Sequence, residues 1–233
     1  MIIAEIGHNW NCDLMTAEKM INQAALAGAD VVKFQLYNTD YIKSPHESNY
    51  KELKAAELSK NDLLFLYRAA EYAEIEFLVS IFDSERFDWL EELGIKLKRH
   101  KIASRTIRDM KLLDKVIASG LPIIASLGEW NEEQPPSYFP KERTNFLLCQ
   151  SRRSILQEGF KGLPQKFKIP ITGFSDHTIG NEWALNAIDR GARIIEKHFT
   201  LNRNWAGWDQ PASGTVEDFI QIVRHHRRVS GRT

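Results

Sequence analysis

Two histidines, His177 and His198, each stand just past a short apolar run, Ile169–Phe174 for the first and Ile194–Ile195 for the second. Between them Trp183, Ala184, Ala187 and Ile188 fall at helical spacing, and Gly191 supplies a stop. Read as strand–helix–strand, the unit makes its two strands parallel neighbours, about 4.8 Å apart. Both imidazoles then leave the sheet at its C-terminal end. Two ring nitrogens so placed can share one divalent cation, and such an ion would polarise a carbonyl oxygen. Asp176 and Glu196 stand beside them. A histidine near a strand end is more often a hydrogen-bonded structural residue, so the pair gains weight only from its neighbours.

Those neighbours are other polar residues where apolar runs end. Glu5 and Asn9 follow the first run, Lys33 and Gln35 the second, and Ser80 the third. Lys101 and Ser104, then Ser126, then Ser175 follow later runs, and Asp209 lies on the last loop. Lys33 and Lys101 each interrupt an apolar strand at its exit. Ammonium groups and hydroxyls together suit a phosphorylated, carboxylated anion.

The elements that must position these side chains alternate. Ile2–Ile6, Asp30–Gln35, Phe77–Phe82, Leu97–Ser104, Pro122–Ser126 and Phe146–Cys149 read as strands ahead of the two already named. Helical faces separate them, such as Ala17, Met20, Ile21 and Ala24, stopped by Gly28. Ser59 with Asp62 is patterned as a capping box, and Thr215 caps the last helix. The polar stretch Leu36–Leu58 is too long for an ordinary connection and is a candidate lid. Eight strands alternating with about eight helical segments in 233 residues predict a TIM (β/α)8 barrel spanning 1–233 as one domain. The alternative is an open doubly wound sheet, but no GxGxxG follows a strand and there is no Walker A motif.

Lys plus Arg equals Asp plus Glu at 31 each, so no net field draws nucleic acid or an anionic membrane. No apolar run approaches the ~20 residues of a membrane helix. The two cysteines, Cys12 and Cys149, lie in no CxxC pattern, which points to a reducing cytoplasm.

The motifs IAEIG at Ile3–Gly7, ADVVKFQ at Ala29–Gln35, KIAS at Lys101–Ser104, GFSDHTIG at Gly173–Gly180, EKHFT at Glu196–Thr200 and GWDQ at Gly207–Gln210 resemble, in order, those of the sialic acid synthase family. That family condenses phosphoenolpyruvate with an N-acetylated amino-sugar aldehyde. The resemblance implies a divalent metal, manganese or magnesium, at His177 and His198, and phosphoenolpyruvate at Lys33, Lys101, Ser104, Ser126 and Ser175. It implies the sugar at Gln35 and Asp209, and an acidic group at Glu5 beside the reacting atoms. It also implies a homodimer in which a small C-terminal domain of one subunit lends an arginine to the other; this chain ends where that domain would begin. Three departures stand out. Arg105 and Thr106 follow KIAS where the family has a glutamate, Trp10 replaces a histidine, and LCQSRRS at Leu148–Ser154 puts Arg152 and Arg153 where the family has neutral contacts. Arg153, at the family's tyrosine position, is expected to enter the mouth and grip an anion. The departures leave room for two other readings: a non-catalytic barrel that binds an anionic sugar or phosphate as a regulatory or scaffold module, and a metal-dependent aldolase.

Overall fold

The computed structural model describes residues 1–151, 155–156 and 159–231. Eight parallel strands close in sequence order: β1 (Ile2–Glu5), β2 (Val31–Leu36), β3 (Glu76–Ile81), β4 (His100–Ile102), β5 (Ile123–Ser126), β6 (Thr144–Cys149), β7 (Ile171–Asp176) and β8 (Ile194–His198). Pairing of Glu5 with His198 shuts the ring. The helices whose bounds lie among the described residues are α1 (Leu14–Leu26), α2 (Thr39–Ile42), α3 (Tyr50–Ala55), α4 (Lys60–Tyr72), α5 (Ser84–Glu92), α6 (Met110–Ala118), α7 (Glu182–Asp189) and α8 (Val216–Ser230). The (β/α)8 barrel predicted from the alternation is therefore the fold.

Alternation along each strand divides two cores. Ile3, Val31, Leu78, Ile124, Leu147 and Ile194 point inward and form an apolar plug across the barrel. The other face of each strand joins the helices in one larger cluster that includes Ile2, Phe34, Val79, Ile102, Phe174 and Ile195. Strands buried on both faces need apolar residues on both, which is why their sequences read as runs. The plug is tight at Gly173. A Cβ there would lie 2.4 Å from the Ile194 carbonyl oxygen and 2.5 Å from Leu147 Cδ2.

Both expected caps form. Ser59 with Asp62, and Thr215 with Asp218, make reciprocal capping boxes on α4 and α8. Strand four is shorter than its sequence implies. Residues 97–99 lie outside it, and Arg99 instead makes a two-pronged bond to Glu76 at 2.6 and 3.0 Å. The candidate lid is a packed segment carrying α2 and α3. Tyr37 Oη donates to the Leu53 carbonyl at 2.9 Å, and Arg86 holds Glu57 at 2.7 Å.

Candidate active site

Above the plug, the next inward tier is polar. Lys33 Nζ donates to Ser80 Oγ at 2.8 Å and lies 2.7 Å from Glu5 Oε2. Lys101 Nζ donates to Ser126 Oγ at 2.8 Å and to the Ile102 carbonyl at 3.1 Å. Glu196 lies between the two lysines, with one carboxylate oxygen 3.8 Å from each ammonium. Ser175 Oγ donates to Glu196 Oε1 at 2.9 Å. Register explains the convergence. Glu5 pairs with Lys33, Ser80 with Lys101 and Ser175 with Glu196, so alternation turns all of them inward at the end of the barrel towards which the strands run.

Burial disfavours charge at every one of these groups, and partners decide the outcome. Burial pulls Lys33 down, but Glu196 and Glu5 outweigh it and hold its pKa above the ordinary lysine value. Burial also pulls Lys101 down, and there it prevails, because Glu196 is its main counter-charge and Lys33 opposes it. Glu196, despite burial, is held down to about 2, chiefly by Lys101 and Lys33, with Ser175 helping. The tier therefore contains one well-compensated ammonium and one under-compensated ammonium.

The rim tier stands over it. The rings of His177 and His198 meet edge to face with centroids 5.2 Å apart. His177 Nε2 is 3.4 Å from Ser175 Oγ, and His198 Nε2 is 3.9 Å from Asp209 Oδ1. His198 Nδ1 is buried with no hydrogen-bond partner. Gln35 Nε2 donates to Glu5 Oε1 at 2.8 Å. Gly7 bends the chain beside these groups with φ +54°, and a Cβ there would lie 3.3 Å from Gln35, Glu5 and His198 alike. Ser104 accepts the Gly128 N–H at 3.0 Å and is placed near the site by a 3-10 turn rather than by a strand. Thr106, at the position of the expected glutamate, is buried and donates its hydroxyl to the Ala103 carbonyl at 3.3 Å, while Arg105 beside it is exposed. Arg153, expected to point into the mouth, lies with Arg152 outside the described residues.

Asp176 belongs elsewhere. It shares the outward face of β7 with Phe174, where its carboxylate takes Lys197 Nζ at 2.9 Å. That buried pair braces β7 against β8 on the helix side. Two residues of the site were not singled out as such from the sequence. Glu196 is one; its position two before His198 on an extended segment was the available signal. Cys149 is the other. Burial pushes its thiol up, but His177, Ser104 and Lys101 together bring it below the usual thiol range.

Two buried lysines between acids and hydroxyls, under a histidine pair at the mouth of a closed barrel, form a site for an anion next to a polarisable partner. Comparison with known proteins places it. The NeuB family model matches residues 20–135 and 154–232. The chain belongs to the NeuB family. Within that family it is 32% identical to the N,N'-diacetyllegionaminic acid synthase of Legionella pneumophila, over 97% of this chain and 71% of that protein. It is 34% identical to the synthase of the same name from Campylobacter jejuni, over 98% of this chain and 76% of that protein. Among solved structures, the N-acetylneuraminic acid synthetase of Leptospira borgpetersenii, in complex with citrate, superposes with a TM-score of 0.84 at 32% identity. The match covers 99% of this chain and 83% of that one. The polar tier of this NeuB barrel thus lies in a fold shared with named sialic-type acid synthases. No described helix is long and apolar enough to cross a membrane.

Proposed function

We propose that this NeuB-family barrel condenses phosphoenolpyruvate with an N-acylated amino-sugar aldehyde to give a sialic-type acid and phosphate. The observation that carries the reading is Lys101, a buried lysine whose nearest carboxylate, that of Glu196, stands 3.8 Å away. A phosphate or carboxylate arriving at the tier supplies counter-charge, and Lys33 with Ser80, Ser126 and Ser175 provides further donors. Donors fixed before the ligand arrives need little reorganisation when charge moves during the reaction.

The chemistry then divides between tiers. The enol carbon of phosphoenolpyruvate attacks the aldehyde carbon of the sugar, water adds at the carbon bearing the phosphate, and phosphate departs. The lysines hold the anion in register. Glu5, bridged by Gln35, stands where a proton can be passed beside the reacting carbons. Asp209 on the β8–α8 loop and Gln35 offer polar contacts to the sugar. His177 and His198 fit a divalent cation by donor type, by the 5.2 Å between their rings and by the orphaned Nδ1 of His198. No third His, Cys, Asp or Glu joins them among the described residues, so substrate and water would complete the shell. Such an ion would polarise the aldehyde oxygen. Both cysteines are free thiols, which suits a reducing cytoplasm.

The test is phosphate release from phosphoenolpyruvate with N-acetylglucosamine, N-acetylgalactosamine and N-acetylmannosamine. It is run with manganese, with magnesium and with chelator. Release that needs both a sugar and a metal, and that Lys101→Met abolishes, is expected. Release that ignores the sugar, or survives chelation unchanged, overturns the corresponding part of the reading.

A further inference from the structure

His8 has no counterpart in the motifs discussed so far. It follows Gly7, whose backbone lies against Glu5, Gln35 and His198. Its ring packs edge-on against Tyr37 at 5.4 Å, and Tyr37 is itself fixed by the Leu53 carbonyl and by Phe82 at 6.0 Å. On its other side the Gly7–Asn11 loop is pinned to the loop that carries Asp209. Asn9 Nδ2 donates to the Phe199 carbonyl and to Ser213 Oγ, both at 2.8 Å, and Gln210 Nε2 donates to the Asn9 carbonyl at 3.1 Å. Backbone and ring are thus both held in place. Yet Nε2 of His8 is buried and has no hydrogen-bond partner. An unsatisfied buried polar atom is costly, and native structures rarely keep one without a use.

We propose that His8 is a specificity-determining residue whose Nε2 hydrogen-bonds a hydroxyl or the N-acyl amide of the acceptor sugar. The position favours the sugar over the phosphate anion. His8 lies at the β1–β2–β8 side of the rim, with Gln35 and Asp209, whereas Lys101 and Ser126 lie on β4 and β5. Burial lowers the pKa of the ring, and Asp209 and Glu5 only partly offset this. A neutral imidazole offers one donor and one acceptor, which suits a neutral polar group better than an anion. This inference rests on the reading of the mouth as a sugar site.

The experiment compares wild type, His8→Ala and His8→Gln in steady-state kinetics, with the three N-acetylhexosamines above and phosphoenolpyruvate varied separately. One lost neutral hydrogen bond corresponds to about a 3- to 10-fold change. The expected result is a rise of that size in sugar KM for His8→Ala, with phosphoenolpyruvate KM within about twofold of wild type. His8→Gln, which keeps a donor and an acceptor, should recover most of the loss. Unchanged sugar KM, an equal rise in both KM values, or a change explained by a lowered Tm overturns the proposal. If wild type releases no phosphate with any sugar, the synthase reading fails, and saturation-transfer NMR with the same three sugars decides the role of His8. Binding by wild type that His8→Ala weakens supports the role without the reaction. Absence of binding by wild type overturns both.

Discussion

Replacing Glu196 by Gln removes one negative charge from the polar tier while keeping its shape. Each ammonium lies 3.8 Å from a Glu196 oxygen. At an effective dielectric constant of about 20, each such pair contributes about 4 kcal/mol before desolvation. Desolvation of three buried charges takes back much of that sum. The same contacts show in the carboxyl itself, held at about 2 against an ordinary value of 4.5 chiefly by Lys101 and Lys33. A depressed carboxyl contributes stability that is present above pH 4.5 and is lost as pH falls towards 2. At about 1.4 kcal/mol per unit this contribution is roughly 3 kcal/mol. That figure falls near the 3–5 kcal/mol typical when one partner of a buried ion pair is removed. Glu196→Gln should therefore lower the unfolding free energy at pH 7 by about 3 kcal/mol, measured by urea titration. Lys101→Met combined with Glu196→Gln should be milder than the sum, because each change relieves the charge the other leaves stranded. A coupling of about 1–3 kcal/mol is expected from the double-mutant cycle. A Glu196→Gln protein within 0.5 kcal/mol of wild type, or an additive cycle, would refute the account of the tier as a coupled charge network.

Two further changes probe the scaffold. His100 lies on the helix side of β4, against Phe87, with Nε2 3.0 Å from Ser119 Oγ, and burial lowers its pKa to about 4. A depressed histidine binds its proton in the unfolded chain first, so stability should fall as pH drops from about 6.5 to about 4, by up to about 3 kcal/mol. His100→Asn should flatten that slope in urea titrations across the window, and an unchanged slope would remove His100 as its cause. Gly173→Ala forces a methyl group against backbone and Leu147 inside the plug, and a loss of about 2–4 kcal/mol is expected by thermal or urea unfolding. A loss below 1 kcal/mol would mean the plug has room that its geometry denies.

Much of the barrel was legible because each strand is buried on two faces and therefore reads as an apolar run between helical patterns. Lys33 and Lys101 were legible as interruptions of such runs, and the histidine pair as two residues at equivalent strand exits. Glu196 was passed over as a neighbour of His198. Counting by twos along β8 would have turned it inward with His198 and turned Lys197 away. The same count separates Ser175 from Asp176, whose charge is used against Lys197 behind the sheet. Strand four misled because Lys98 and Arg99 continue a plausible run, whereas the fold spends Arg99 on Glu76. His8 was invisible for a different reason. Its interest lies in an atom left unpaired after every nearby loop has found its partners, and no pattern of residue types records that.

The seam between β1 and β8 has a consequence for how the protein comes into being. Glu5 and His198 face each other across that seam, yet they are almost 200 positions apart. On a ribosome adding about 5–20 residues per second, β1 waits many seconds for its second neighbour. Throughout that interval the β1–β2 pair presents a bare, apolar edge of the kind that recruits strands from other chains. The rim that holds Glu5 and His198 side by side does not exist until that edge is sealed, so no partly built barrel carries the complete polar tier. Growth temperature and chaperone supply would then bear on the yield of folded protein.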